Sequence, residues 1–279
     1  MATRTLTIGH LYPQIMSGYG DRGNLAAIVR RCDWRGIHTV VRDLGLGDPV
    51  DPDEVDLLLI GNSGEFHQRL VAVDLADVKG PGISEAVRQG VALLAVGAGY
   101  ELLGRFYQPR RGVELPGARL FDAWTVQQGA DLTTASCTIT EARADRAIGD
   151  LLVQWGDELL VGFENHSART YLGPSAQALG QVVAGQGNNG DGYEGVRLGN
   201  AIGTYLRGPC LPWNPALTDF LIRAALRRRY GHAELVPLPD ELERAARDTA
   251  AQQATARHGR SRPGAGARPA GQVPARPAR

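Results

Sequence analysis

VALLAVGAGYELLG, residues 91–104, decides the fold. Its first six residues are uninterrupted apolar side chains, the pattern of a short strand covered on both faces. Gly97-Ala98-Gly99 breaks that run, and the residues from Tyr100 to Phe106 read as a helix. A buried strand that turns sharply into a helix is the geometry of a nucleophile elbow, in which one residue stands at the strand's carboxyl end beside free backbone N–H groups. Gly97 holds that displayed position here, followed by Ala98. A glycine-rich strand-to-helix turn also occurs in any parallel α/β sheet, so the elbow alone does not establish chemistry.

Working outward, the preceding segments repeat the alternation that builds a parallel sheet. TLTIGH (5–10) reads as a strand, about 23–35 as a helix, HTVVR (38–42) as a second strand and VDLLLI (55–60) as a third, closed by Gly61-Asn62-Ser63-Gly64. ISEAVRQG (83–90) supplies the helix before the stretch first quoted. The class is therefore α/β. From about 112 to 205 the pattern changes to short, glycine-rich β-like pieces such as AWTVQQ, SCTIT and LLVGFE. Residues 216–230 and Pro239 to about Arg257 then read as helices.

Composition narrows the function. The chain has 279 residues with 30 basic and 30 acidic side chains, but six arginines and no acid fall between 250 and 279, which leaves an acidic body and a basic tail. The tail lacks side chains able to bury surface and is expected to be disordered. Six charges spread over 30 residues make a weak anionic-surface site. Cys32, Cys137 and Cys210 are too widely spaced for a CxxC metal site and odd in number for a disulfide framework, so a reducing, cytoplasmic setting is expected. No transmembrane run, Walker A loop or HExxH helix is present in the sequence, and neither a secretory leader nor a nucleic-acid partner is expected.

Several stretches, read in order, resemble the class I glutamine amidotransferases of the cobyric-acid-synthase-like branch. They are Tyr19-Gly20-Asp21-Arg22-Gly23-Asn24, Leu59-Ile60-Gly61, Gly99-Tyr100-Glu101-Leu102-Leu103-Gly104, Gly162-Phe163-Glu164-Asn165-His166 with Arg169-Thr170-Tyr171, Gly187-Asn188-Asn189, and Gly203-Thr204-Tyr205-Leu206 with Gly208-Pro209. Within that branch the pattern is closest to the glutaminase subunits of lipid II isoglutaminyl synthases. The resemblance implies a class I amidotransferase-like (flavodoxin-like), mostly parallel sheet flanked by helices, with extra β-rich segments in the second half. It divides the chain into an amidotransferase-like domain (1–235), a C-terminal helix (236–257) and a basic tail (258–279). It also implies a MurT-type Mur ligase as partner, which would carry ATP and magnesium, with no cofactor on this chain. The pair would amidate the D-glutamate of a peptidoglycan precursor.

Glutaminase chemistry needs a thiolate to attack the side-chain amide and a histidine to move the proton. Here the resemblance places Gly97 at the nucleophile position and Arg207 at the histidine position. A guanidinium stays protonated near neutral pH and cannot act as a base. The family's glutamine-binding arginine falls near Asp131, where a carboxylate would repel the one it should hold. Gly61, Gly64 and Ala98 occupy the remaining substrate-binding positions. Losing a nucleophile alone costs a factor on the order of a million in a well-studied hydrolase, and Cys210, three residues beyond Arg207, lacks an elbow to aim it.

Three functions follow as expectations: a catalytically degenerate subunit, a working glutaminase, or a small-anion or amino-acid binding module. Other residues have ordinary readings. His166 reads as a structural histidine, Asp21 and Asn24 as helix-capping residues with a place at the site rim, and Arg227-Arg228-Arg229 as a solvated helix end.

Overall fold

The computed structural model describes residues 4–130 and 146–260. The first half builds β1 (Arg4–Leu11), α1 (Arg22–Asp33), β2 (Ile37–Leu44), β3 (Leu57–Ile60), α2 (Glu65–Asp74), α3 (Gly80–Arg88), β4 (Ala92–Val96) and α4 (Ala98–Leu102). Every residue of β3 and β4 is buried, as their uninterrupted apolar runs require. The elbow helix α4 starts at Ala98, directly after Gly97, and is shorter than its sequence suggests. Phe106 belongs instead to the strand β5 (Phe106–Gln108). The helix ends early because the last turn closes onto β-structure: Arg105 N–H donates to Ala123 O at 2.6 Å.

The second half contributes β6 (Leu115–Pro116), β7 (Ala123–Gln127), β8 (Ala147–Trp155), β9 (Glu158–His166), β10 (Ala168–Leu172), β11 (Gly180–Ala184) and β12 (Tyr193–Glu194), arranged in two four-stranded sheets ordered β10-β7-β5-β6 and β12-β11-β8-β9. The strand read at SCTIT (136–140) lies outside the described residues. The chain then returns to the main sheet as β13 (Val196–Leu198) and β14 (Ala201–Thr204) and ends in α5 (Cys210–Trp213), α6 (Pro215–Tyr230) and α7 (Glu241–Arg260).

The main sheet has the order β13-β14-β4-β3-β1-β2. All its pairings are parallel except the edge pair β13–β14. The chain winds outward from β1 to β2, then reverses through β3, β4 and β14. That reversal leaves a crevice at the carboxyl ends of β1 and β3, where ligands of open α/β sheets bind. The loops after β1, β3, β4 and β14 all open on this edge. Helix α6 packs on β1, β3 and β4 and stops at Gly231, whose left-handed φ of 75° closes the last turn.

Buried charges tie the helices down. Arg31 on α1 reaches Asp219 on α6 at 2.8 Å and both carboxylate oxygens of Asp240 at 2.6 and 2.9 Å, while Arg35 takes the other Asp219 oxygen at 2.7 Å. The end of α6 is not simply solvated: Arg228 donates to Val55 O and Pro52 O and lies 3.4 Å from the fully buried Asp56. Residues 232–240 lie outside helix, since Pro237 and Pro239 remove helix donors. The C-terminal helix therefore runs from 241 to 260, later at both ends than its sequence reading.

Candidate functional site at the elbow

Gly97 closes β4 with φ 55° and ψ −115°, a conformation that side chains other than glycine rarely adopt. Its N–H is held by Thr204 O at 2.9 Å, and its carbonyl accepts from Glu101 N–H at 2.9 Å, so the turn is fixed from both sides. The backbone of a nucleophile elbow is present without a nucleophile. The space a side chain would need is also taken. A Cβ on Gly97 would collide with Asn62 Oδ1 and stand 2.8 Å from Asn62 Cγ and 3.0 Å from Arg207 Nη2.

Asn62 comes from the loop after β3 and is buried. Its Oδ1 accepts the Ala98 N–H at 2.9 Å, the donor that an elbow would direct at an oxyanion. Its own N–H donates to Asp21 Oδ2, and Gly18 N–H donates to its carbonyl at 2.8 Å. Gly61 admits this arrangement because a Cβ there would meet Asp21 Oδ2 at 2.6 Å. Its carbonyl accepts from Gly99 N–H at 3.2 Å. Gly64 is the N-cap of α2 and faces open space.

Arg207 follows β14 and is clamped to β9 by reciprocal backbone bonds with Phe163, at 2.8 and 3.2 Å. Its guanidinium carbon lies 5.5 Å from the centroid of the Tyr19 ring, and Tyr19 itself has a left-handed φ of 57°. The side chain is only 7% exposed, yet Nε has no hydrogen-bond partner among the described residues. Asp21 completes the cluster. Its carboxyl is pushed up to about 6, because burial outweighs the opposing pull of the Asn62 N–H and of Arg207. It does not cap α1 with its side chain, so the capping reading is corrected: the carboxylate has turned toward the elbow loop.

The structure therefore brings Gly61, Gly97, Ala98 and Arg207 together and adds Asp21 and Asn62. Asp131 lies outside the described residues. Asn62 was not singled out from the sequence, since an Asn in Gly-Asn-Ser-Gly reads as an ordinary turn residue. Cys210 is buried, with its sulfur 3.7 Å from Asn24 Oδ1 and its thiol pushed well up by burial. Asn24 does not cap α1 either; its Oδ1 accepts from Leu211 N–H at 2.9 Å and joins α1 to α5.

The motifs that carry the resemblance mostly frame this site. Glu101 on α4 accepts from Gln68 at 2.6 Å and from Tyr205 at 3.0 Å, and the Tyr205 hydroxyl continues to Thr170 at 2.7 Å and Thr170 to Thr125 at 2.8 Å. His166 stacks on Tyr205 with centroids 3.8 Å apart and bonds Ala168 O through Nδ1 at 2.8 Å, in keeping with a structural role. Asn188 fastens Gly195 through both amide atoms, each at 2.9 Å.

A switch-point crevice, an elbow after β4 and this frame define an amidotransferase architecture. The chain belongs to the CobB/CobQ-like glutamine amidotransferase domain family, whose model matches residues 7–215. It is 32% identical over 240 residues to the subunit GatD of the glutamine-hydrolysing lipid II isoglutaminyl synthase of Streptococcus pneumoniae, covering 85% of this chain and 86% of that one. To the GatD subunit of Staphylococcus aureus it is 34% identical over 227 residues, covering 80% and 86%. Among solved structures, PurLQS from Thermotoga maritima aligns with a TM-score of 0.49 and 13% identity over 81% of this chain and 98% of that one. No helix of the described residues is long and apolar enough to cross a membrane.

Proposed function

We propose that this chain is a GatD-like subunit that docks on a MurT-type Mur ligase and serves amidation of the D-glutamate of lipid II without hydrolysing glutamine itself. The observation that carries the reading is Gly97: the elbow keeps its backbone conformation but presents no nucleophile, and Asn62 and Arg207 fill the space where one would stand. The Ala98 donor is already occupied by Asn62, so both nucleophilic attack and oxyanion stabilisation lack their groups. The partner ligase would supply ATP and magnesium and activate the carboxyl group. This subunit would then support the ligase by association, with ammonia coming from elsewhere.

The glutaminase reading would need another nucleophile. Buried Cys210 does not supply one, because a thiol whose ionisation is suppressed by burial is inert. The test is glutamate release from glutamine by the purified chain, alone and mixed with its ligase, followed by light scattering of the mixture. Complex formation without glutamate release is expected. Robust turnover, or no association, overturns the proposal.

A further inference from the structure

We infer that α2 and the two loops clipped to it form a protein-docking surface, apolar at its centre and basic along one rim, whose occupant is the ligase subunit. This rests on the association proposed above and names the face that carries it.

α2 is apolar on both sides. Val71 and Ala72 are buried, and Gln68 donates to Glu101 at 2.6 Å, so one face is satisfied by the body of the domain. A surface helix is expected to carry polar side chains on its other face. Phe66, Leu70 and Val73 stand there instead, at i, i+4 and i+7, and are 70%, 50% and 59% exposed. That spacing stacks the three on one stripe about 10 Å long. Single exposed apolar side chains are ordinary, whereas a continuous stripe marks a surface that another molecule covers.

Two loops widen the stripe from opposite flanks. On one, Asp74 accepts the Gly47 N–H at 2.7 Å and Lys79 donates to Gly45 O at 2.6 Å, which holds exposed Leu46 between two clips beside the helix. On the other, Arg69 donates to Arg111 O at 2.9 Å, and exposed Val113 follows two residues on. The Tyr12 hydroxyl and the Lys79 ammonium also donate to Asp74, at 2.6 and 2.8 Å. The surface is thus fixed in advance, so covering it costs little ordering entropy.

Charge selects the occupant. Glu65 is engaged by Arg69 at 2.7 Å, which leaves exposed Arg110 and Arg111 against Glu114 alone in the loop on the Arg69 flank. On a body with an excess of acidic side chains, this rim is a local exception. A second copy fits it poorly, because antiparallel two-fold pairing of α2 would set the basic flank against itself. A partner with an apolar centre and carboxylates at its rim fits both features. Phe66 lies two residues past Gly64, so a subunit seated on the stripe borders the elbow loop. In the pair proposed above, that subunit is the ligase.

Titration of the full chain with its purified ligase subunit, followed by light scattering and calorimetry, tests this. Phe66→Glu and Leu70→Glu are each expected to weaken association at least about thirtyfold, the size of an interface hot spot. Arg110→Glu combined with Arg111→Glu should slow association and flatten its salt dependence. Leu242→Glu, at an exposed leucine on α7, should bind like the parent; thermal melts establish that every variant folds. No association of the parent chain overturns the reading above and this inference together. Association of the parent that survives both Phe66→Glu and Leu70→Glu, or is weakened equally by Leu242→Glu, overturns the docking face alone. A dimer of the purified chain that Phe66→Glu dissolves assigns the face to a second copy and overturns it as well.

Discussion

Asn62 Oδ1 accepts the Ala98 N–H at 2.9 Å, so a side chain from the loop after β3 holds the donor that the elbow helix would otherwise offer to a substrate. On the reading proposed above, the departure from a working elbow is therefore wider than one missing sulfur. A side chain has closed over the position, and restoring chemistry requires removing it.

The single reversion Gly97→Cys is accordingly expected to give no glutamate release and to lower stability. The φ of 55° strains a non-glycine residue by about 1–3 kcal/mol, and the new Cβ collides with Asn62. Adding Asn62→Gly should recover part of the loss, making the pair non-additive. Denaturant titration of both singles and the double measures this coupling. A Gly97→Cys variant that melts above the parent would show that the elbow is neither strained nor occupied.

Cys210 and Cys32 should resist alkylation in the native protein. Both are buried, and burial pushes the Cys32 thiol up to about 12 and that of Cys210 further. Mass spectrometry of peptides after brief iodoacetamide treatment should find both unmodified until denaturant is added. Rapid native labelling at Cys210 would reopen the question of a substitute nucleophile.

The parallel core was legible because VDLLLI and VALLAV carry continuous apolar runs that only a doubly covered strand uses. Gly97 and Arg207 were legible through the resemblance, which fixes them by their neighbours in sequence. Asn62 was not, because its role depends on a contact 36 residues away that no local pattern encodes. Arg228 was misread as a solvated helix end for the same reason: Asp56, which it meets, lies 172 residues earlier. Local periodicity determines which face of an element is buried, but not which polar group waits opposite it.

Removing Arg31 should be severely destabilising. Its guanidinium serves Asp219 and Asp240 at once, and Arg31→Met would leave two largely buried carboxylates without their main partner, an effect of about 3–5 kcal/mol. Urea unfolding should show a lower midpoint. Limited proteolysis should cut residues 232–240 faster, because Asp240 anchors that segment. An unchanged midpoint would mean that Arg35, which also reaches Asp219, carries the network alone.

Stability should fall as pH rises from 5 to 9. Asp21 is raised to about 6 and Glu194 to about 8, both chiefly by burial, whereas unfolded carboxyls titrate near about 4. The folded state therefore binds more protons than the unfolded state between those values, and the stability this provides is present in full below about pH 4 and lost as pH rises through 6 and then 8. Glu194 accepts from the Tyr205 N–H at 2.6 Å and from Thr204, and Thr204 O holds Gly97 N–H, so the upper titration takes place next to the elbow. Melting curves at half-unit pH intervals should show two declining limbs. Asp21→Asn should flatten the lower limb and Glu194→Gln the upper one. A melting temperature that rises from pH 5 to 9, or limbs unaltered by these substitutions, would assign the pH dependence to other groups.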